Sequence, residues 1–209
     1  LILAGDNLAA TEALARLREG NARFARQEVS LQALLGHARR GELAHQSRPF
    51  AVILGCSDSR VPAEFVFDQG LGDLFVIRVA GNITAPSQIG SVEFAVERFG
   101  IRLVVVMGHS HCGAIDASLA QIREPTRVSR GMKSIVERIS PTLEGLVQGC
   151  HWPNEETLLQ AAVRANVRVS VSQLRHGSGL LERLHLTEEL LIVGAEYSVE
   201  SGEVEFLEA

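Results

Sequence analysis

Two short segments concentrate the chain's reactive side chains: Cys56-Ser-Asp58-Ser-Arg60 and His109-Ser-His111-Cys112-Gly113. Each follows an apolar run that reads as a β-strand, so each sets metal-binding side chains at a strand's carboxyl end. Zinc takes thiolate and imidazole in a roughly tetrahedral, four-coordinate shell. Cys56, Cys112 and His109 fill three positions and leave the fourth for water, substrate or a carboxylate, and Asp58 is the carboxylate within reach. A thiolate bound to zinc stays deprotonated at neutral pH. The alternative, two buried cysteines packed as small apolar groups, is weakened by the His and Asp beside them. His109 and Cys112 are three apart, a spacing that faces both to one side if Gly113 opens a helix. His111 points elsewhere from such a turn, so a hydrogen-bonded or solvent-facing histidine is its simpler reading, with a proton relay as the functional one.

Asp58 and Arg60, two apart, face the same way in an extended loop. A guanidinium fork orients a carboxylate, keeps it ionised and leaves it able to accept a hydrogen bond from metal-bound water. The same carboxylate could instead fill zinc's fourth position, and the residues alone leave both arrangements open. Cys150-His151 has no second ligand at metal spacing and reads as structural. His37, His45, His176 and His185 lack a partner pattern as well.

The elements that must position these groups follow from periodicity. Residues Asp6 to Gln27 read as an amphipathic helix, capped by Asp6 or Asn7, with Ala10, Leu14, Leu17 and Phe24 on one stripe. A second helix is expected over Gln32 to His45. Together they make an arm (1–47) with no strand of its own, whose apolar stripe needs another surface, such as a partner subunit. From Pro49 strands alternate with helices: Phe50 to Leu54, Leu74 to Val79, Leu103 to Met107 and Leu190 to Val193 are near-continuous apolar runs, as strands buried on both faces require. Helices are expected over Pro86 to Phe99, Gly113 to Ile122, Met132 to Val147 with a break or kink at Pro141, and Asn154 to His176. The last is capped by Asn154, stopped at Gly177, and presents Leu158, Ala162, Ala165 and Val169 to the core. A hairpin through 198–202 leads to a final strand, Glu203 to Leu207. The expected fold is α/β, a mostly parallel sheet in the order 2-1-3-4 with a short antiparallel edge strand, in one domain with its zinc core over 48–209. In such a sheet ligands sit beyond the carboxyl ends of strands at the point where strand order reverses. There Cys56 would meet His109 and Cys112.

Composition narrows the partners. A chain of 209 residues, 46% hydrophobic, can bury a full core, and its net charge of −5 with scattered Lys and Arg lacks the basic footprint of a nucleic-acid binder. No apolar run approaches the length that spans a bilayer. Three cysteines in a chain of this size point to thiols used for something other than stapling, hence to a reducing compartment, with the cytoplasm expected. Any targeting segment ahead of Leu1 lies outside this reading.

Taken in order, Cys56-Ser-Asp58-Ser-Arg60 and His109-x-x-Cys112, with 53 positions from Cys56 to His109, resemble the signature of the β-class carbonic anhydrases. Val61-Pro62-Ala63-Glu64, Asp73-Leu74-Phe75-Val76-Ile77-Arg78, Ala80-Gly81-Asn82, Gly90-Ser91-Val92-Glu93-Phe94-Ala95 and Gly108-His109-Ser110 extend the resemblance from about Asn7 to Phe206. It implies Zn2+ held by Cys56, His109 and Cys112, with Asp58 either a fourth ligand in a closed state or paired with Arg60 in an open one. It implies hydration of carbon dioxide to bicarbonate by zinc hydroxide, and a homodimer or tetramer whose N-terminal helices wrap the partner near the active site. Phe75 and Ala80 would line an apolar substrate cleft, joined by Phe94, Gly113 and, by weaker correspondence, Gln46. Phe94 stands where plant-like members carry Tyr, and Ile53 where bicarbonate-inhibited bacterial members carry Trp, although Arg78 matches their Arg. The rival expectations are attack on carbonyl sulfide or carbon disulfide, a silent zinc scaffold or bicarbonate sensor with Asp58 locked on the metal, and a dinucleotide-binding domain. No Gly-x-Gly-x-x-Gly follows a strand to support the last.

Overall fold

The structure, a computed structural model, describes residues 7–28, 30, 40–44, 47–149 and 151–207. Val/Ile/Leu runs form β1 (Ala51–Gly55) and β3 (Leu103–His109), in which every residue is buried. They lie at the centre of a five-stranded sheet with β2 (Leu74–Arg78), β4 (Leu191–Tyr197) and β5 (Val204–Leu207), in the order β2-β1-β3-β4-β5. The first four are parallel and β5 is antiparallel to β4, as expected from the sequence.

Alternation along the strands divides the core. Val52, Leu54, Val104, Val106 and Ile192 face one layer, covered by α4 (Pro86–Phe99), α7 (Glu155–His176) and α8 (Gly179–Leu186). Ile53, Leu103, Val105 and Met107 face the other, covered by α1 (Ala10–Ala25) and by α3 (Ala63–Val66), which follows the short α2 (Arg40–Leu43). A third cluster lies beyond the carboxyl ends of β1 and β3, where α5 (Gly113–Arg123), α6 (Arg130–Gly149) and α7 meet around Cys56 and Cys112.

The first helix packs on the chain's own sheet, with Ala13 and Leu17 fully buried there. Asn21 fastens the helix further, donating to Val66 O and Gly202 O and accepting from Val204 N–H. Asn7 is not a cap: its amide donates to Pro49 O and Phe99 O, tying the chain's start to the entry of β1. Most of the second expected helix, with His37, His45 and Gln46, lies outside the described residues, as does Cys150. Pro141 does not end α6, which runs on to Gly149.

Helix α7 is capped as expected, Asn154 Oδ1 accepting from Thr157 N–H at 2.9 Å. Its buried face is wider than the apolar stripe: Ala165 and Val169 are only half-buried, while Asn166 and Ser170 are each 2% exposed. The helix is wedged between the sheet and the 3₁₀ turn Ala80–Asn82, and those two polar side chains bond the turn. Val167 reaches the sheet where it has no side chains. A Cβ on Gly108 would stand 2.6 Å, and one on Gly194 2.8 Å, from its methyl groups. Among the described residues no helix is long and apolar enough to cross a membrane.

Candidate metal centre

Parallel pairing puts β1 beside β3, so the residues following Gly55 and Gly108 emerge side by side. Cys56 is the first residue past β1, His109 the last of β3, and Cys112 the residue before α5. All three are buried, His109 completely, and their ligand atoms lie within 4.8 Å of one another. The two sulfurs are 4.0 Å apart; sulfurs bound to one tetrahedral zinc stand about 3.8 Å apart. His109 Nδ1 lies 2.8 Å from Ser110 O, and a carbonyl only accepts, so Nδ1 carries the proton. Its Nε2 lone pair is buried without a hydrogen-bond partner, an arrangement that ligation would satisfy. Two thiols and one aimed imidazole nitrogen therefore fit a zinc ion.

The electrostatics agree. The Cys56 thiol is pulled down, chiefly by the hydrogen bond from Cys112, with His109 and the Gly81 N–H at 3.4 Å adding to it. Cys112 is pushed up for the converse reason, and burial adds to the effect. Burial alone would lower His109, but the Cys56 sulfur facing it, and the charge that sulfur carries as a thiolate, raise it. Gly81 can approach the sulfur because its φ of +70° is one that side chains resist, and a Cβ there would meet Ile139 at 2.8 Å.

Asp58 stands in the loop after Cys56 and takes the paired arrangement. Arg60 Nε donates to its Oδ1 at 2.9 Å and Nη2 to its Oδ2 at 2.8 Å. Those bonds hold the carboxyl well below the usual carboxylate range, against a smaller opposing effect of burial. Arg78 braces the same loop from β2, Nε donating to Cys56 O at 2.9 Å and Nη2 to Asp58 O at 2.5 Å. Arg60 Nη2 also reaches His111 O at 3.3 Å, joining the two metal-bearing loops.

His111 turns away from the sulfurs, as expected, and its Nε2 meets Glu200 Oε1 at 2.5 Å. Glu200 is held low, to about 2, first by the Ser110 hydroxyl. Nothing in the sequence marked Glu200, because its contacts lie about ninety residues away. Gly113 opens α5 and Ala80 opens the 3₁₀ turn, both beside the centre. Phe75 and Phe94 stand apart from it in this chain. With Phe99 they form an aromatic trio, ring centroids 6.0–6.2 Å apart, and Phe94 is 54% exposed. His176 pairs with Glu182, and His185 Nδ1 lies against Leu190 O, consistent with structural roles.

A doubly covered parallel sheet with a buried Cys-His-Cys group at its switch point defines a class, and comparison with known proteins names it. Residues 51–204 match the carbonic anhydrase family. A carbonic anhydrase of Mycolicibacterium smegmatis is 39% identical over 190 residues, covering 90% of this chain and 89% of that one. Carbonic anhydrase 2 of Mycobacterium tuberculosis is 39% identical over 189 residues, covering 89% and 87%. The structure of the β-carbonic anhydrase CcaA superposes with a TM-score of 0.74 at 25% identity, covering 94% of this chain and 92% of that one. The chain belongs to the β-class carbonic anhydrase family, and its class of chemistry is that of a lyase acting on carbon dioxide.

Proposed function

We propose that this chain catalyses the reversible hydration of carbon dioxide to bicarbonate and a proton, with Zn2+ held by Cys56, His109 and Cys112. The observation that carries this reading is the buried Cys-His-Cys group set beside a carboxylate that a guanidinium keeps ionised. Bound zinc supplies a Lewis acid that lowers the pKa of water from about 15.7 to about 7, and so a nucleophile at neutral pH. The residues do the rest. Asp58 accepts a hydrogen bond from the reactant water and orients its lone pair, and Arg60 fixes that carboxylate and keeps it from protonating. The Nδ1–H of His109, bound to Ser110 O, fixes the ring and leaves Nε2 as the nitrogen that would bind the ion. Ala80 and the backbone at Gly113 border the substrate, the latter at a helix N-terminus that favours an anionic product.

Phe75 and Phe94 serve the site of a second copy of the chain in a homodimer or larger assembly. The exposed ring of Phe94, and the packing of Phe75 in a cluster separate from the one that holds this chain's own sulfurs, support that placement. A solved relative of the same fold is described as tetrameric.

The test is zinc content by elemental analysis beside carbon dioxide hydration by stopped flow. Purified protein is expected to hold stoichiometric zinc and to hydrate carbon dioxide, and His109→Ala to lose both together. Full turnover in zinc-free His109→Ala would overturn the assignment.

A further inference from the structure

We infer that Glu200 is a positioning residue for the metal centre: one carboxylate in the β4–β5 turn holds the Ser110–His111 turn and, through it, both Cys112 and the Arg60–Asp58 pair. The inference rests on the metal-binding reading above. His111 has a φ of +54°, a left-handed backbone that a residue with a side chain resists, and it lies between His109 and Cys112. The contacts that hold it there come from a distant turn. Glu200 Oε1 lies 2.5 Å from His111 Nε2, and Oε2 accepts from Ser110 Oγ at 2.8 Å. Ser110 is fastened again by Val199 N–H, which donates to its hydroxyl at 2.9 Å, and by its own N–H to Tyr197 O at 2.9 Å. Ser198 Oγ donates to Glu200 Oε2 at 3.1 Å and fixes the carboxylate.

The consequence is geometric. With His111 turned this way its carbonyl accepts from Arg60, the residue that holds Asp58. A connected series of hydrogen bonds thus runs from Glu200 to the carboxylate beside the metal. Both partners are about half exposed, and an exposed ion pair on its own contributes little. The role assigned to Glu200 therefore lies in setting the backbone that carries Cys112. Groups bonded directly to a metal ligand change metal affinity by about 10–100-fold when removed, and Glu200, acting one residue further out, is expected at the low end of that range.

The experiment loads wild type, Glu200→Ala, Glu200→Gln, His111→Gly and the Glu200→Ala/His111→Gly double variant with Zn2+ or Co2+. Metal release to a chromogenic chelator is timed, and the thiolate-to-Co2+ charge-transfer band reports the geometry of the centre. Glu200→Ala is expected to release metal about tenfold faster and to alter the Co2+ spectrum, with Glu200→Gln closer to wild type because it keeps an acceptor oxygen at the same reach. In the His111→Gly background, where glycine adopts the turn freely, the effect of Glu200→Ala is expected to shrink to about twofold. Should Glu200→Ala not fold, Glu200→Asp, whose carboxylate falls one methylene short of Ser110 and His111, carries the comparison with the same expected outcome. Identical release and spectra in wild type and the Glu200 variants would overturn the inference, as would a defect undiminished in the His111→Gly background. Failure of the wild type to bind either ion would instead overturn the metal-centre reading itself.

Discussion

The Asp58 carboxylate and the Arg60 guanidinium meet at two points, 2.9 and 2.8 Å, and the Arg60 backbone N–H adds a third bond to Oδ1 at 2.9 Å. A carboxylate so occupied is fixed in orientation and slow to protonate. Asp58→Ala should therefore retain zinc and lose about 10²–10⁴-fold in kcat/KM, the range set by loss of one positioned acid–base group. Zinc analysis and stopped-flow hydration check this together; turnover within a small factor of wild type would remove Asp58 from the mechanism.

Arg78 braces the same loop through two backbone carbonyls, those of Cys56 and Asp58. A lysine cannot reproduce that two-point fork. Arg78→Lys is expected to keep its zinc and lower kcat by about tenfold, with Arg78→Ala lower still. Equal kcat in all three proteins would show the loop to be held by other contacts.

Gly81 combines a φ of +70° with close approach to Ile139 and an N–H directed at Cys56 Sγ. Gly81→Ala adds backbone strain and a collision at one point, and it should destabilise the fold by about 1–3 kcal/mol. Urea unfolding measures that loss. Zinc affinity should fall in the same variant, because the Cys56 thiolate loses a well-placed donor.

Acid should weaken the fold through carboxylates that arginines hold ionised. For Asp68, burial alone would raise the carboxyl, but Arg23 at 2.6 Å and the Ser30 N–H outweigh it and bring it below its ordinary range. A depressed folded pKa gives stability that is complete above the unfolded value, about 3.9, and is lost as pH falls through the folded one. Asp58 acts in the same direction. The denaturation midpoint should hold steady from pH 7 to pH 5 and drop below pH 4. Arg23→Ala should cost about 1–3 kcal/mol at pH 7 and flatten that drop. A parallel acid profile in the variant would exclude Asp68 as a contributor.

What the sequence disclosed, and what it withheld, divides along the range of the contacts. Strands β1 and β3 were legible because both faces are covered and their apolar runs are unbroken, and Cys56, His109 and Cys112 because soft ligands follow those runs directly. Asn154 announced the start of α7 by its place before two glutamates. Asn166 and Ser170 gave no such sign: a polar residue on a helix reads as solvent-facing until the 3₁₀ turn that it bonds is in place. The same holds for Asn7, which reads as a cap but spends its amide on Pro49 and Phe99, one of them ninety-two residues away. Helix α8 escaped notice because its eight residues are too few to show a period, although Ser178 caps it by accepting from Leu181 N–H. The role of α1 was half legible, its stripe being evident and the surface beneath it not.

Val167 seated over Gly108 and Gly194 acts as a peg in a dimple of the sheet. Helix α7 can neither slide along the strands nor roll without lifting that methyl pair over the neighbouring backbone, so the height of Asn166 above Gly81 is set by two missing side chains. The cradle for the Cys56 sulfur is accordingly set by how α7 seats on the sheet, and a side chain added at Gly108 or Gly194 would reach the sulfur's surroundings through that helix.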